Sequence, residues 1–415
     1  MNRAKGKITV VVVGAGPAGS SAALGLALQG HKAVLIDKAG FPRDKVCGDG
    51  IPGKVLKIFP QLGLNTEELN RLGFPIFGMK LYGPSGQQVT YGDSAVQGAA
   101  KSFCIPRKIF DNYLFEKASA QVSETLIPFK VTGIERIGSQ WQLHLKDVKN
   151  GRERRLKADL VIAADGATSL LSRQVLHLKA SFEHRFWGVR QYFTGGPFAN
   201  TVHIIYDKRL LPGYMWIFPV GAHRANVGLM AEQHSFAHKR AAPIQTLFNQ
   251  ILHENVQVRR ILAEAKAEKR YSGAPLPLGT LSGRRVADGF ISIGDAAAFI
   301  NPITGGGIYY AMQSGLVAAQ IVVQAIQRND WTENGLMAYE NWWRRQLLPG
   351  FKAADAMRRL MRSEKKANYL FNRMQKQGIW AKLFISIYGQ PLPRFFFLHP
   401  RFWLGVLAGS RNKQV

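Results

Sequence analysis

The chain has 415 residues, 46% of them hydrophobic, with 55 Lys and Arg against 27 Asp and Glu and a formal net charge of +28. That length and apolar content suit a large buried core in two or three domains and exclude a disordered or low-complexity chain. The charge calls for a polyanionic neighbour, and two cysteines, Cys47 and Cys104, are too few for a disulfide framework or a zinc site, as expected in a reducing cytoplasm.

Residues 2–7 are basic and an apolar stretch follows, which is the outline of a signal peptide. Gly14, Gly16, Pro17, Gly19 and Gly25 interrupt that stretch, so it reads as part of the fold. Residues 8–13 predict a buried strand that breaks at Gly14, and a helix opens after Pro17. This strand-turn-helix context is what the G-x-G-x-x-G spacing of Gly14, Gly16 and Gly19 needs to be a dinucleotide fingerprint. Gly14 permits the tight turn, Gly16 lets a pyrophosphate approach the backbone, and Gly19 lets helix pack on strand. A second apolar run, 33–36, ends at Asp37, about 20 residues on, where a carboxylate can take both hydroxyls of an adenosine ribose. Alone, this fingerprint does not separate NAD from FAD.

Period-two alternation predicts strands near 79–91, 130–137 and 141–146, with a turn at Gly138 and Ser139, and residues 110–120 predict a helix. Residues 160–163 read as another buried strand, followed by Ala164, Asp165 and Gly166. Strands return over 186–231 and a helical stretch runs to about 267. A third buried strand at 291–293 leads into Gly294 and Asp295, and a long helix is expected over 306–326. Beyond Trp331 the pattern is helical, broken by Pro349, Pro391, Pro393 and Pro400. This last stretch carries 15 Lys and Arg against 4 Asp and Glu, beside aromatic clusters at Trp342 and Trp343, Phe395 to Phe397, and Phe402 and Trp403. Basic residues among Trp and Phe suit an anionic membrane surface, and a solvated basic face over a helical core is the alternative. No nucleic-acid reader motif is present, and no apolar run is long enough to span a bilayer. No histidine sits in a metal-ligand spacing, so no metal site is expected.

The run from Asp165 and Gly166 to Arg173 resembles the DG motif of the flavoprotein hydroxylase superfamily, and Gly294-Asp295 resembles its GD motif. Two further segments, FPRDKVCGDG at 41–50 and LPGYMWIFP at 211–219, resemble signatures of the geranylgeranyl reductase family. The resemblance spans roughly residues 8–330. It implies an α/β fold in which a Rossmann-like FAD-binding domain (1–78, 100–178 and 281–330) is interleaved with a β-sheet substrate domain (79–99 and 179–280). A basic helical region, 331–415, would follow. The same resemblance makes Ala18 and Asp37 contacts of the adenosine half of FAD, makes Cys47, Gly48 and Gly50 contacts of the flavin, and makes Arg107 and Val131 contacts of the cofactor. Asp295 would accept from the ribityl chain, and Gly307 and Ile308 would begin a helix aimed at the flavin ring. The Gly305-Gly306-Gly307 run departs from the Gly-Glu-Gly common in that family. Pro212, Tyr214, Trp216 and Phe218 would face substrate. On an extended strand Tyr214, Trp216 and Phe218 share one face, as an apolar polyprenyl chain or a sheet core would require.

The implied activity is FAD-dependent saturation of geranylgeranyl or polyprenyl double bonds in a lipid or quinone, with Cys47 and Tyr214 as candidate catalytic residues. No second nucleotide fingerprint exists, so electrons would come from transiently docked NAD(P)H or from a carrier such as ferredoxin. The expected setting is the cytoplasm with peripheral membrane association. A monooxygenase or halogenase on the same scaffold, and a noncatalytic membrane-associated flavoprotein, are the alternatives.

Overall fold

The computed structural model describes residues 8–92, 100, 102–179, 184–233, 243–268 and 271–376. At its centre is a six-stranded sheet in the order Val286–Ala287, Phe290–Ser292, Leu160–Ala163, Val10–Val13, Val34–Ile36, Glu124–Leu126. All neighbours pair in parallel except Val286–Ala287 with Phe290–Ser292. The four inner strands are buried along their whole length, which is why they read as unbroken apolar runs and not as alternating patterns. Val10 and Val12 face helices Pro17–Ala27, Arg107–Ser119 and Ile308–Gln327. Val11 and Val13 face the antiparallel meander Phe129–Ile137, Gln140–Asp147, Glu153–Ala158. The first and last of those helices pack backbone to backbone: a Cβ on Gly315 would lie 2.3 Å from the carbonyl oxygen of Ala18.

A second sheet has eight strands, all antiparallel to their partners except Thr201–Ile205, which runs parallel to Gly78–Tyr82. Its central strands are Arg185–Thr194, Arg224–Glu232 and Tyr214–Gly221. One face is closed by helices Ile244–Glu254 and Val256–Ile261. The other carries Tyr214, Trp216 and Met230 and meets helices Leu348–Met361 and Glu364–Lys376. A small sheet of Gly50–Pro52, Ser102–Cys104 and Phe74–Ile76 touches both larger units. With three residues per strand it offers no periodicity to read from sequence.

One boundary differs from expectation. Lys266–Ala267, read as the end of a helical stretch, is an edge strand paired with Phe193 and Thr194. Pro349 does break the C-terminal pattern: helix Glu333–Gln346 ends just before it, and it sits in the first turn of the next helix, Leu348–Met361, where its missing N–H has no partner to lose. In the same region Arg358 is buried and pairs with Glu232 and Asp355, while Arg344, Arg359 and Arg362 also meet carboxylates. Part of the basic excess after Trp331 is thereby neutralised internally. Pro391, Pro393, Pro400, Phe395 to Phe397, Phe402 and Trp403 lie outside the described residues. Among the described residues no helix is long and apolar enough to cross a membrane.

Candidate active site

The carboxyl ends of the parallel strands meet at one place, and three distant segments supply it. Gly14, at φ +105°, donates its amide to the Ile36 carbonyl at 2.6 Å, and a Cβ there would lie 2.2 Å from the Ala164 oxygen. Ala164 donates to Val13, Ile293 donates to Ala163, and the hydroxyls of Ser172 and Ser292 bond at 2.7 Å. Crevices outside the carboxyl ends of such strands are where this architecture receives ligands. Helix Pro17–Ala27 starts there with Gly16 as N-cap, no capping side chain and no acidic residue in its first turn. Its first amides are thus free for an anion. Asp37 accepts from the amides of Ala15 at 2.7 Å and Ala39 at 2.9 Å, so it fastens the glycine loop and keeps further lone pairs for ribose hydroxyls. Asp165 turns inward instead, capping helix Leu170–Val175 through the amides of Leu170 and Leu171.

From this crevice a cavity of about 220 Å³ runs under the second sheet. It brings together Gly16, Ala18, Cys47, Gly48, Gly50, Arg107, Asp295, Gly307 and Ile308 with Tyr214, Trp216 and Phe218. Gly14, Gly19 and Asp37 support it from behind. Val131 stands on the meander opposite Leu145, and Pro212 is buried just ahead of strand Tyr214–Gly221, so neither is among the lining residues. The spacing argument holds in that Tyr214, Trp216 and Phe218 all reach the cavity. Trp216 and Phe218 lie so close to the Cys47 loop that a Cβ on Gly48 would be 3.2 Å from the indole nitrogen.

That loop is fixed by polar residues which sequence patterns did not single out as a site. Asp49 is fully buried at φ +63° and accepts from Tyr192 Oη at 2.6 Å, Asn226 Nδ2 at 2.7 Å and the Arg107 amide at 3.2 Å. Burial pushes its carboxyl up, against the pull of the Tyr192 and Asn226 hydrogen bonds. Asn226 also donates to the Cys47 carbonyl at 2.8 Å and accepts from the Trp216 indole at 3.0 Å. The one sequence signal was an Asn inside an otherwise apolar strand, Arg224–Glu232. Burial likewise pushes the Cys47 thiol up, with the nearby Arg107 guanidinium opposing it. Arg107 makes a two-pronged bond to Asp111 at 2.7 and 2.8 Å, which Arg43 shares at 2.9 Å. Tyr214 donates its hydroxyl to the Thr304 carbonyl, and burial holds it well above the usual phenol range.

At the far end, helix Ile308–Gln327 presents its N-terminus with Gly307 as a cap that has no side chain. Asp295, midway, pairs with Lys45 at 3.1 Å. Two open helix N-termini, a carboxylate between them and an apolar wall beside a glycine-flanked loop suit a molecule with a pyrophosphate, a polyol chain and a flat ring. The residues present therefore fit FAD. Ala18 and Asp37 would hold its adenosine half, Asp295 its middle, and Cys47, Gly48, Gly50, Gly307 and Ile308 would flank its ring.

The family model described as FAD binding domain matches residues 7–341. The digeranylgeranylglycerophospholipid reductase of Methanocaldococcus jannaschii is 32% identical over 345 residues, covering 81% of this chain and 82% of the relative. That of Methanothrix thermoacetophila is 30% identical over 354 residues, covering 81% and 83%. Among solved structures, a geranylgeranyl bacteriochlorophyll reductase-like protein from Thermoplasma acidophilum superposes with a TM-score of 0.78 at 21% identity, covering 89% of this chain and 91% of that one. A flavin-dependent brominase superposes with a TM-score of 0.76 at 23% identity, covering 98% and 100%. These two show the shared fold.

Proposed function

The chain belongs to the family of FAD binding domain proteins and is an FAD-dependent oxidoreductase, and from that premise we propose that it saturates isoprenoid double bonds in a lipid or a quinone tail. The observation that carries this reading is the wall of Tyr214, Trp216 and Phe218 pressed against Gly48 and Gly50 in the same cavity as the flavin-facing residues. Such a wall recognises an apolar chain by burial and makes few demands for hydrogen bonds. The names of the curated relatives, digeranylgeranylglycerophospholipid reductases, point the same way.

Bound FAD, once reduced, supplies a hydride to one alkene carbon. The chain's own residues orient that carbon and hold the proton for the other. Cys47 Sγ keeps its proton at neutral pH because burial disfavours the thiolate, and it lines the cavity directly. Tyr214 is also protonated, but its hydroxyl hydrogen is engaged with Thr304, so Cys47 is the better placed donor. The alkene π bond would be replaced by two C–H bonds, one hydrogen arriving as hydride and the other as the Cys47 proton; the thiolate would regain a proton from solvent, and an external donor, a hydride from NAD(P)H or two successive electrons from reduced ferredoxin with a solvent proton, would make good the hydride spent. The substrate's own membrane, reached through the basic C-terminal region, is the expected location.

The test is anaerobic mixing of the reduced enzyme with a geranylgeranylated phospholipid and with menaquinone. Recovery of oxidised-flavin absorbance together with products heavier by one H2 per bond supports the reading. No reoxidation by any isoprenoid, with hydroxylation or halogenation appearing once oxygen is admitted, sinks it and favours the oxygenase-type alternative.

A further inference from the structure

The cavity is lined by three cationic side chains, Lys45, Lys54 and Arg107, against a single carboxylate, Asp295. Lys45 is paired with Asp295, and Arg107 with Asp111 behind the wall. Lys54 has no carboxylate partner among the described residues; its Nζ stands 5.3 Å from the centre of the Tyr309 ring. A contact of that kind is worth roughly 0.5–2 kcal/mol, a small return for a cation withdrawn from water. Burial accordingly draws the Lys54 ammonium down to about 8.

Lys54 sits where a second positive potential converges. Tyr309 belongs to the first turn of helix Ile308–Gln327, which has no capping side chain and no acidic residue at its start. The amides of that turn carry a partial charge of about +0.5. The nearest carboxylate is Asp295, whose Oδ1 would lie 3.0 Å from a Cβ on Gly307, and it is paired with Lys45 and not with Lys54. With Gly16 and Asp37 holding the adenosine end of the cofactor and Asp295 its middle, the ring would fall between the Cys47 loop and Gly307, in the part of the cavity that Lys54 lines.

We propose that Lys54 is the counter-charge to the flavin ring, stabilising the negative charge that the ring carries after two-electron reduction. The oxidised ring is neutral, so a fixed cation favours the reduced form and raises the tendency of the enzyme to accept electrons. This rests on FAD in the cavity and not on which alkene is reduced.

The experiment uses the FAD-loaded enzyme, reduced anaerobically against a reference dye. In Lys54→Met, which keeps the length and removes the charge, the ratio of reduced to oxidised flavin at fixed poise should fall about tenfold, equivalent to about 30 mV for a two-electron couple. The spectrum of the reduced enzyme at neutral pH should change from the anionic to the neutral form. Lys54→Arg should stay close to the wild type in both respects. A wild-type potential in Lys54→Met with full FAD content overturns the proposal, as does Lys54→Arg shifting as far as Lys54→Met. The wild type needs no variant to be informative: a neutral reduced-flavin spectrum at neutral pH also overturns it. An unchanged potential in Lys54→Met with weaker binding of phosphate-headed lipid vesicles would overturn it and put the ammonium on the substrate headgroup. None of these readouts depends on isoprenoid turnover.

Discussion

The side-chain amide of Asn226 reaches across from the second sheet to the Cys47 carbonyl at 2.8 Å while its oxygen accepts from Trp216 at 3.0 Å. One fully buried residue thereby ties the Cys47 loop to the aromatic wall and fixes the width of the cavity between them. Asn226→Ala leaves the Cys47 carbonyl, Asp49 and the Trp216 indole short of a partner. Each orphaned buried group costs roughly 1–3 kcal/mol. The expected outcome is a loss on the order of 3 kcal/mol in thermal or denaturant unfolding, with FAD affinity lowered about tenfold or more in equilibrium dialysis. A variant of wild-type stability and affinity would show that the loop is held by other means.

Asp49 has a different pH signature from an ordinary paired carboxylate. Its folded pKa is raised, chiefly by burial, so it favours folding while protonated and this contribution is lost as pH rises from 3.8 through the folded value. Asp49→Asn removes the buried charge, keeps an acceptor for Tyr192 and Asn226, and suits the left-handed φ of +63°. It gives up the 3.2 Å contact from the Arg107 amide. Its stability should lie within about 1.5 kcal/mol of wild type. Relative to wild type it should improve between acid and neutral pH, as read by urea unfolding at both. Asp49→Ala, lacking every acceptor, should be much less stable at either.

Asp111 runs in the opposite direction. Burial would raise its carboxyl, but the charge and hydrogen bonds of Arg107, with Arg43 and Lys45, outweigh that and hold it below the usual range. Its stabilising contribution is therefore complete above pH 3.8 and lost as pH falls through the folded value. Asp111→Asn breaks a buried pair and leaves Arg107, a cavity-lining group, with an uncompensated charge. Removing one partner of such a pair costs roughly 3–5 kcal/mol. Release of flavin fluorescence at neutral pH should accompany the stability loss, and the wild type should release FAD only under strongly acidic conditions.

The glycines of the fingerprint have separable duties. A Cβ on Gly19 would sit 1.7 Å from the Gly14 carbonyl oxygen, whereas one on Gly16 meets only Arg43 Nη2, at 3.4 Å. Gly19→Ala should prevent the Pro17–Ala27 helix from packing on its strand and give insoluble or colourless protein. Gly16→Ala should fold with a normal melting profile yet bind FAD more weakly, because Gly16 lines the cavity. Equal behaviour of the two would contradict this division.

What was legible in the sequence follows from the range of each interaction. The inner strands declared themselves because Val10 to Val13 and Leu160 to Ala163 are buried on both faces and need apolar residues at every position. The N-terminus of helix Pro17–Ala27 was readable from glycines within a few residues of a strand end, and that of Ile308–Gln327 from a glycine run before a long apolar helical pattern. The wall was readable because Tyr214, Trp216 and Phe218 obey the two-residue repeat of one strand. By contrast Asp49 meets Tyr192 and Asn226 across 143 and 177 residues, separations over which no local pattern survives. Lys54 was invisible for another reason: its position becomes notable only once the cavity shows that every neighbouring cation already has a carboxylate. The neutralised charges of Arg358 and Arg362 likewise required knowing that Glu232 lies beneath them.

Trp216 owes its position to a missing side chain on the neighbouring strand. Gly228 lies opposite it in register, and a Cβ there would fall 2.2 Å from Trp216 Cζ2 and 2.5 Å from the Val189 carbonyl oxygen. In Gly228→Ala the strand must edge away from the Val189 carbonyl, and the indole must be displaced toward the cavity and Gly48. The FAD contacts proposed for Gly16, Asp37 and Asp295 lie on other elements and should survive. The expected outcome is a protein that keeps most of its flavin and loses reoxidation by long isoprenoids at least tenfold. Shorter prenyl substrates should be affected less, and the double variant Gly228→Ala with Trp216→Phe should recover part of the rate. Stopped-flow flavin reoxidation against a series of prenyl chain lengths checks it. Uniform loss across the series, or loss of FAD itself, would mean that the indole props the fold and does not shape the substrate channel.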